Sequence, residues 1–248
     1  MNRRRALMFL AAGTAVAVPA AGAVATFRLH RPVRRVPYLT DAHLTGLSMP
    51  AAGQGPRVLF VGNSMLLRHD VPGRVAALAA KQGRAIRPAL AAGQGVRLVE
   101  VMRVAAFRDL LRPGLWDAAV LQDFTKTPLR AVDRWASSWA MGAIAERLRG
   151  VPLLLAPPWP GAPENSVYRD AGWLTAAPVD AADYARRTML HYEATAAEIG
   201  AQVAPVPATW AAALATGIPV FDADGHHASP EGADVLAGVL WDQLQKML

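Results

Sequence analysis

The chain has 248 residues, 53% of them hydrophobic, and a formal net charge of +7. That size and composition suffice for one well-buried core and exclude a disordered polar chain, and the lack of any cysteine excludes disulfide stapling, thiolate catalysis and cysteine-ligated zinc or iron–sulfur centres. The charge is local: Arg3, Arg4, Arg5, Arg28, Arg31, Arg34 and Arg35 lie at the front, the rest is close to neutral, and no aromatic-interleaved basic stripe follows, so nucleic acid is not an expected partner.

Residues 1–27 have the composition of an export signal, three arginines followed by an uncharged run from Ala6 to Phe27 with a small-residue cleavage site at Ala23-Val24-Ala25. The adjacent arginines leave room for a twin-arginine route. The run is also about as long as the ~20 residues that span a bilayer, so cleavage and an uncleaved membrane tether through residues 6–27 both stand. In either case the expected location is outside the cytoplasm, with the basic end inward. Residues 28–55, rich in Pro, Gly, Arg and small residues without periodicity, read as a linker.

From residue 56 to 248 strand and helix patterns alternate. Apolar runs at Arg57–Val61, Ala85–Leu90, Ala118–Gln122, Val151–Ala156 and Gln202–Val206 predict strands. Between and after them, Val71–Gln82, Val96–Leu111, Ala131–Leu148, Ala181–Ile199 and Pro230–Leu248 predict helices long enough for crossovers between parallel strands. Apolar strands covered on both faces imply an α/β/α sandwich around a parallel sheet of about five strands. Pro157-Pro158-Trp159-Pro160-Gly161 stops the fourth strand, and the aperiodic stretch Ala162–Pro178 is a candidate substrate wall.

Two distant segments carry chemistry. Val58-Leu59-Phe60-Val61-Gly62-Asn63-Ser64 reads as a buried strand entering a tight turn, which leaves the Ser64 hydroxyl at the carboxyl edge of the sheet. Asp224-Gly225-His226-His227-Ala228-Ser229-Pro230 places Asp224 three residues ahead of His227, a spacing that lets the carboxylate turn back onto the imidazole while its other nitrogen takes the serine proton. His226 is only two residues from Asp224 and is the weaker candidate for the base. Asp222 reads as a turn or cap residue, and His69 as a pocket-border or helix-entry histidine. Asp222, Asp224, His226 and His227 could together ligate zinc, but a strand-end serine favours hydrolysis with no metal and no cofactor. Trp116, Trp135, Trp139 and Trp241 are expected in the core, whereas Trp159 and Trp173, in or beside the Pro-rich loop, could stack on a sugar or cover an acyl chain.

These two blocks, with Ser229-Pro230-Glu231-Gly232 opening the last helix, resemble the SGNH hydrolases of the GDSL esterase and lipase superfamily, across about residues 56–248. Gly-Asn-Ser64 stands where Gly-Asp-Ser is usual. The resemblance implies a flavodoxin-like α/β/α fold with Ser64 as nucleophile, His227 as base and Asp224 as its orienter. It further implies an oxyanion hole from the Ser64 N–H, a glycine N–H after the second strand, and a side-chain amide after the third. Ala91-Ala92-Gly93-Gln94-Gly95 offers Gly95, with Gly93 in reserve, and Leu121-Gln122-Asp123 offers Gln122 in place of the Asn of Gly-x-Asn-Asp.

The expectation is therefore an exported serine esterase acting on carboxylic esters, O-acetyl or short-chain acyl groups on extracytoplasmic carbohydrate or lipid. Acyl transfer to an envelope glycan uses the same triad and remains open. A non-catalytic envelope binding module of the same fold would be marked by the missing Gly-x-Asn-Asp. The partner is thus a small-molecule or glycan ester.

Overall fold

The computed structural model describes residues 44–169 and 177–248. The export segment, most of the linker, His30, His43 and Trp173 lie outside the described residues. Among those described, no helix is long and apolar enough to cross a membrane.

One six-stranded sheet organises the domain, in the order β1-β3-β2-β4-β5-β6. The strands are β1 (Gly46–Leu47), β2 (Arg57–Asn63), β3 (Arg87–Gly93), β4 (Ala118–Leu121), β5 (Leu153–Leu155) and β6 (Gln202–Val203). Five of them run parallel, and β1, drawn from the stretch read as linker, pairs antiparallel on the edge of β3. Without that edge strand the order is the doubly wound one in which the first strand is flanked by the second and third, with its switch point between β2 and β4. Ser64 follows β2 and Gln122 follows β4, so both sit at that switch point.

The two-residue period of the strands divides the core. Val58 and Phe60 of β2 and Val120 of β4 face one side with α2 (Val71–Lys81), α7 (Val206–Ala215) and α8 (Pro230–Met247). Leu59 and Val61 of β2 and Ala119 and Leu121 of β4 face the other, with α5 (Ala131–Arg147) and α6 (Ala181–Ile199). All seven of these side chains are fully buried, and all but Ala119 are large. Fully burying such a side chain contributes roughly 1.5–3 kcal/mol, which is why the central strands read as continuous apolar runs.

Four sequence expectations are corrected. The single helix over Val96–Leu111 is two short ones, α3 (Leu98–Val101) and α4 (Ala105–Leu110). At the break the Arg108 guanidinium donates to the carbonyls of Met102 (3.3 Å) and Arg103 (2.6 Å), replacing the helical bonds lost there. The strand expected to run to Val206 ends at Val203, and Val206 opens the unforeseen helix α7, with Pro207 in its first turn. Trp159 covers no substrate: it is fully buried, stacked on Trp210 with centroids 4.3 Å apart, and its Nε1–H donates to the His226 carbonyl at 3.0 Å. Trp135 is not core but 59% exposed, on the side of α5 opposite the buried Ser137, Ala140 and Ile144.

Candidate active site

The nucleophile's turn is shaped by its own sequence. Asn63, extended at φ −137°, ends β2, and its Oδ1 accepts the Met65 N–H at 3.0 Å, capping the one-turn helix α1 (Ser64–Leu67). Glycine at 62 is required by space: a Cβ there would lie 2.8 Å from Leu66 Cδ1 and 3.2 Å from the Gln122 carbonyl oxygen. Ser64 is thus held at the strand end with its side chain nearly buried, 6% exposed.

The second block is a closed loop. Phe221 bridges Ala228, Asp222 N–H donates to the His227 carbonyl at 2.9 Å, and Ser229 N–H donates to the Val220 carbonyl at 2.9 Å. Within it Asp224 Oδ1 accepts the backbone N–H groups of His226 (2.9 Å) and His227 (2.8 Å), with Gly225 at φ +61° making the turn. Ser229 then caps α8 by accepting the Gly232 N–H at 3.0 Å. The downstream Ser-Pro-x-Gly therefore has a local purpose: it ends the loop by starting the helix.

The two blocks meet. His227 Nε2 is 2.9 Å from Ser64 Oγ, and His227 Nδ1 is 2.7 Å from Asp224 Oδ2. Burial works against ionising Asp224, but the hydrogen bonds from the His227 backbone and ring and the His226 backbone outweigh it and hold the carboxyl below the usual range. A permanently ionised Asp224 fixes the imidazole tautomer that leaves Nε2 free to accept.

The neighbouring histidine has a different place. His226 Nε2 lies 3.4 Å from Thr125 Oγ1, and its ring packs edge-on against His227. Burial, and then the nearby His227, push His226 down from its ordinary value. It lines a cleft of about 440 Å³ with Thr125 and Lys126 after β4, Asn165 and Arg169 of the loop after β5, and Asp224. The stretch read as a candidate substrate wall lines this cleft as far as Arg169.

The remaining candidates sit at the strand ends. Gln122 is fully buried, and neither its Nε2 nor its Oε1 has a hydrogen-bond partner among the described residues. Of the two glycines, Gly93 is buried and is the register partner of Asn63, while Gly95 is exposed at φ +64°. Asp123 is also buried; its Oδ1 accepts the N–H groups of Leu98 (2.9 Å) and Phe124 (2.7 Å), so it braces α3. Burial raises its carboxyl above the usual range.

Sequence reading did not single out Arg68. Its Nη1 lies 3.3 Å from Asp224 Oδ2 and 3.7 Å from Asp222 Oδ2, and His69 Nε2 reaches the same Asp222 oxygen at 3.4 Å. The available signal was a basic residue one helical turn beyond the nucleophile.

The chain that brings this serine, histidine and carboxylate together on a doubly wound sheet is similar in overall fold to several solved structures. The fold is that of the SGNH hydrolases. A protein from Slackia heliotrinireducens assigned to that group superposes with a TM-score of 0.63 at 23% identity, over 77% of this chain and 100% of that one. A lipase/acylhydrolase from Enterococcus faecalis gives 0.58 at 14%, over 77% and 96%. An acetylxylan esterase from Geobacillus stearothermophilus gives 0.56 at 13%, over 79% and 95%. No protein-family model and no curated protein matches the sequence. The SGNH fold accounts for the sheet order and for the approach of two blocks 163 residues apart.

Proposed function

We propose that this chain is a serine hydrolase that cleaves carboxylic esters through an acyl-enzyme. The observation that carries the proposal is the continuous contact Ser64 Oγ–His227 Nε2 at 2.9 Å and His227 Nδ1–Asp224 Oδ2 at 2.7 Å. Ser64 Oγ attacks the ester carbonyl as His227 takes its proton. The tetrahedral oxyanion is held by the Ser64 N–H, a strand-end glycine N–H and the Gln122 amide. His227 then returns the proton to the departing alkoxide, and water repeats the cycle to release the acid.

Two features support the oxyanion assignments. Gln122 has a buried amide with no partner, one strand over from the nucleophile. The pairing of Gly93 with Asn63 in the sheet supports Gly93 alongside Gly95, toward which the sequence pattern leaned.

The substrate reading follows the amino terminus: a chain sent out of the cytoplasm meets envelope and extracellular esters. The cleft beside the triad carries Thr125, Lys126, Asn165 and Arg169, whose polar groups can meet a carbohydrate bearing an O-acetyl group, and the acetylxylan esterase of like fold makes acetylated xylan an apt first probe. The deciding experiment is p-nitrophenyl acetate hydrolysis by the full chain beside Ser64→Ala and His227→Ala. Loss of about 10³-fold or more in kcat in both variants is expected. Equal rates in all three would sink the hydrolase reading. Product analysis with an acetyl donor and a glycan acceptor separates hydrolysis from acyl transfer.

A further inference from the structure

The nucleophile's segment and the acid–base loop touch at a second point besides Ser64 and His227. Arg68 follows Ser64 by four residues, so it leaves the chain on the same side, one turn on. Its Nη1 is 3.3 Å from Asp224 Oδ2, the oxygen that also meets His227 Nδ1. A second carboxylate, Asp222, lies 3.7 Å from the same guanidinium nitrogen.

The backbone around Arg68 is arranged at a cost. His69 (φ 56°) and Asp70 (φ 49°) are consecutive non-glycine residues in the left-handed region, which L side chains rarely adopt. Local bonds hold them there: Asp70 Oδ1 accepts the Gly73 N–H at 3.1 Å, and Arg74 Nε donates to the His69 carbonyl at 2.7 Å. The consequence is that α1 stops at Leu67, and Arg68 and His69 are both turned toward the acid loop.

We propose that Arg68 is a positioning residue of the triad, holding the Asp224 carboxylate, and through it the His227 imidazole, against the helix that carries Ser64. The inference rests on the hydrolase reading of that triad. Arg68 and Asp224 are 39% and 42% exposed, so their pairing adds little to the stability of the fold. Its effect lies in where it acts, on the one oxygen that orients the base. Among the described residues, the charged and titratable groups around this point include Asp222, Asp224 and His226 from the loop, Arg68 and His69 from the nucleophile's segment, Lys126 from the turn after β4, and Glu164 and Arg169 across the cleft. Removing the Arg68 cation leaves Asp224 less constrained and makes a protonated imidazole easier to form. The acid limb of the kcat/KM profile then moves to higher pH.

The test compares the full-length wild type with Arg68→Gln and Arg68→Lys. For p-nitrophenyl acetate, Arg68→Gln is expected to lower kcat about ten-fold with KM little changed. The acid limb should rise by roughly half a pH unit, and Arg68→Lys should recover most of both losses. A purely structural role would instead lower the melting temperature and leave the pH profile in place. Proton NMR supplies a readout free of turnover: the far-downfield His227 Nδ1–H signal, assigned by its absence in His227→Ala, should broaden in Arg68→Gln. A wild-type profile together with an unchanged downfield signal overturns the proposal. If the wild type shows no Ser64-dependent turnover, the hydrolase reading fails by itself, and the downfield signal alone decides whether Arg68 holds the pair.

Discussion

The two sides of the site differ in how their polar atoms are satisfied. On the acid–base side Asp224 accepts two backbone N–H groups and contacts His227 and Arg68, and the loop that bears it is closed by backbone bonds at both ends. On the strand-end side the Gln122 amide is fully buried with neither polar atom partnered, and Asn63 Nδ2 is likewise unpartnered. Leaving a buried donor unmade costs about 1–3 kcal/mol. On the hydrolase reading proposed above, the acid–base side is finished in the resting fold, whereas the other side keeps a donor that would be partnered by a charge existing only during reaction. Such an arrangement stabilises the transition state more than the ground state.

The sharpest way to break this comparison is at Gln122. Gln122→Ala is expected to lower kcat for p-nitrophenyl acetate by about 10²–10³-fold, as loss of a single oxyanion donor does. The same change should cost less stability than the roughly 2–5 kcal/mol of a buried aliphatic truncation to Ala, because it also removes an unpaired amide. Parallel kinetics and urea unfolding read both. An unchanged kcat would assign Gln122 to packing and leave the oxyanion to backbone N–H groups.

A change at the other side should act on the fold first. Gly232, in the first turn of α8, has no room for a Cβ, which would fall 2.1 Å from the Val220 carbonyl oxygen and 2.8 Å from the Trp210 ring. Gly232→Ala must push Val220 away and so open the loop whose closing bond is Ser229 N–H to that same carbonyl. Overpacking of this kind costs about 3 kcal/mol. Activity should fall with it, because the His227 loop loses its anchor. Denaturant midpoints beside kcat measure the two together; lost activity with an unmoved midpoint would mean that the loop is set by its own turn.

How far the sequence disclosed all this depended on range. The strand-end serine, the Asp-x-x-His spacing and the buried central strands are local patterns, and the first, third and fourth strands lie close to where they were expected. The α/β/α layering around a parallel sheet was legible from the alternation of strand and helix; the strand order was not. The burial of Trp159 was not, because only Trp210, on a helix hidden in an Ala-rich apolar run between Pro205 and Gly217, supplies its stacking partner. Nor were the contacts of Arg68, which depend on a left-handed turn at His69 and Asp70, residue types enriched in that region but far more often outside it. Of the two glycines weighed for the oxyanion hole, the chain pattern leaned to Gly95, whereas strand register pairs Gly93 with Asn63, the residue before Ser64.

His191 supplies the control for the comparison, since it carries a buried, unpartnered nitrogen far along the chain from either catalytic block. It lies on α6, 7% exposed, with Nε2 unpartnered. Burial, with Arg134 nearby, lowers it from 6.5 to about 4. In the unfolded chain the ring takes a proton near pH 6.5, while in the folded chain it stays neutral until about pH 4, so the unfolded state binds the extra proton in between. Stability is then complete above pH 6.5 and falls as the pH drops through that window, by about 2 kcal/mol between pH 7 and pH 5. His191→Gln should flatten that part of the stability curve without moving the pH–rate profile. Urea midpoints at pH 7 and pH 5 for both proteins isolate the effect. A variant with the wild-type slope would show that His191 is charged in the fold. A variant with an altered rate profile would tie this distant nitrogen to the site, and an unpartnered buried atom would then no longer distinguish Gln122.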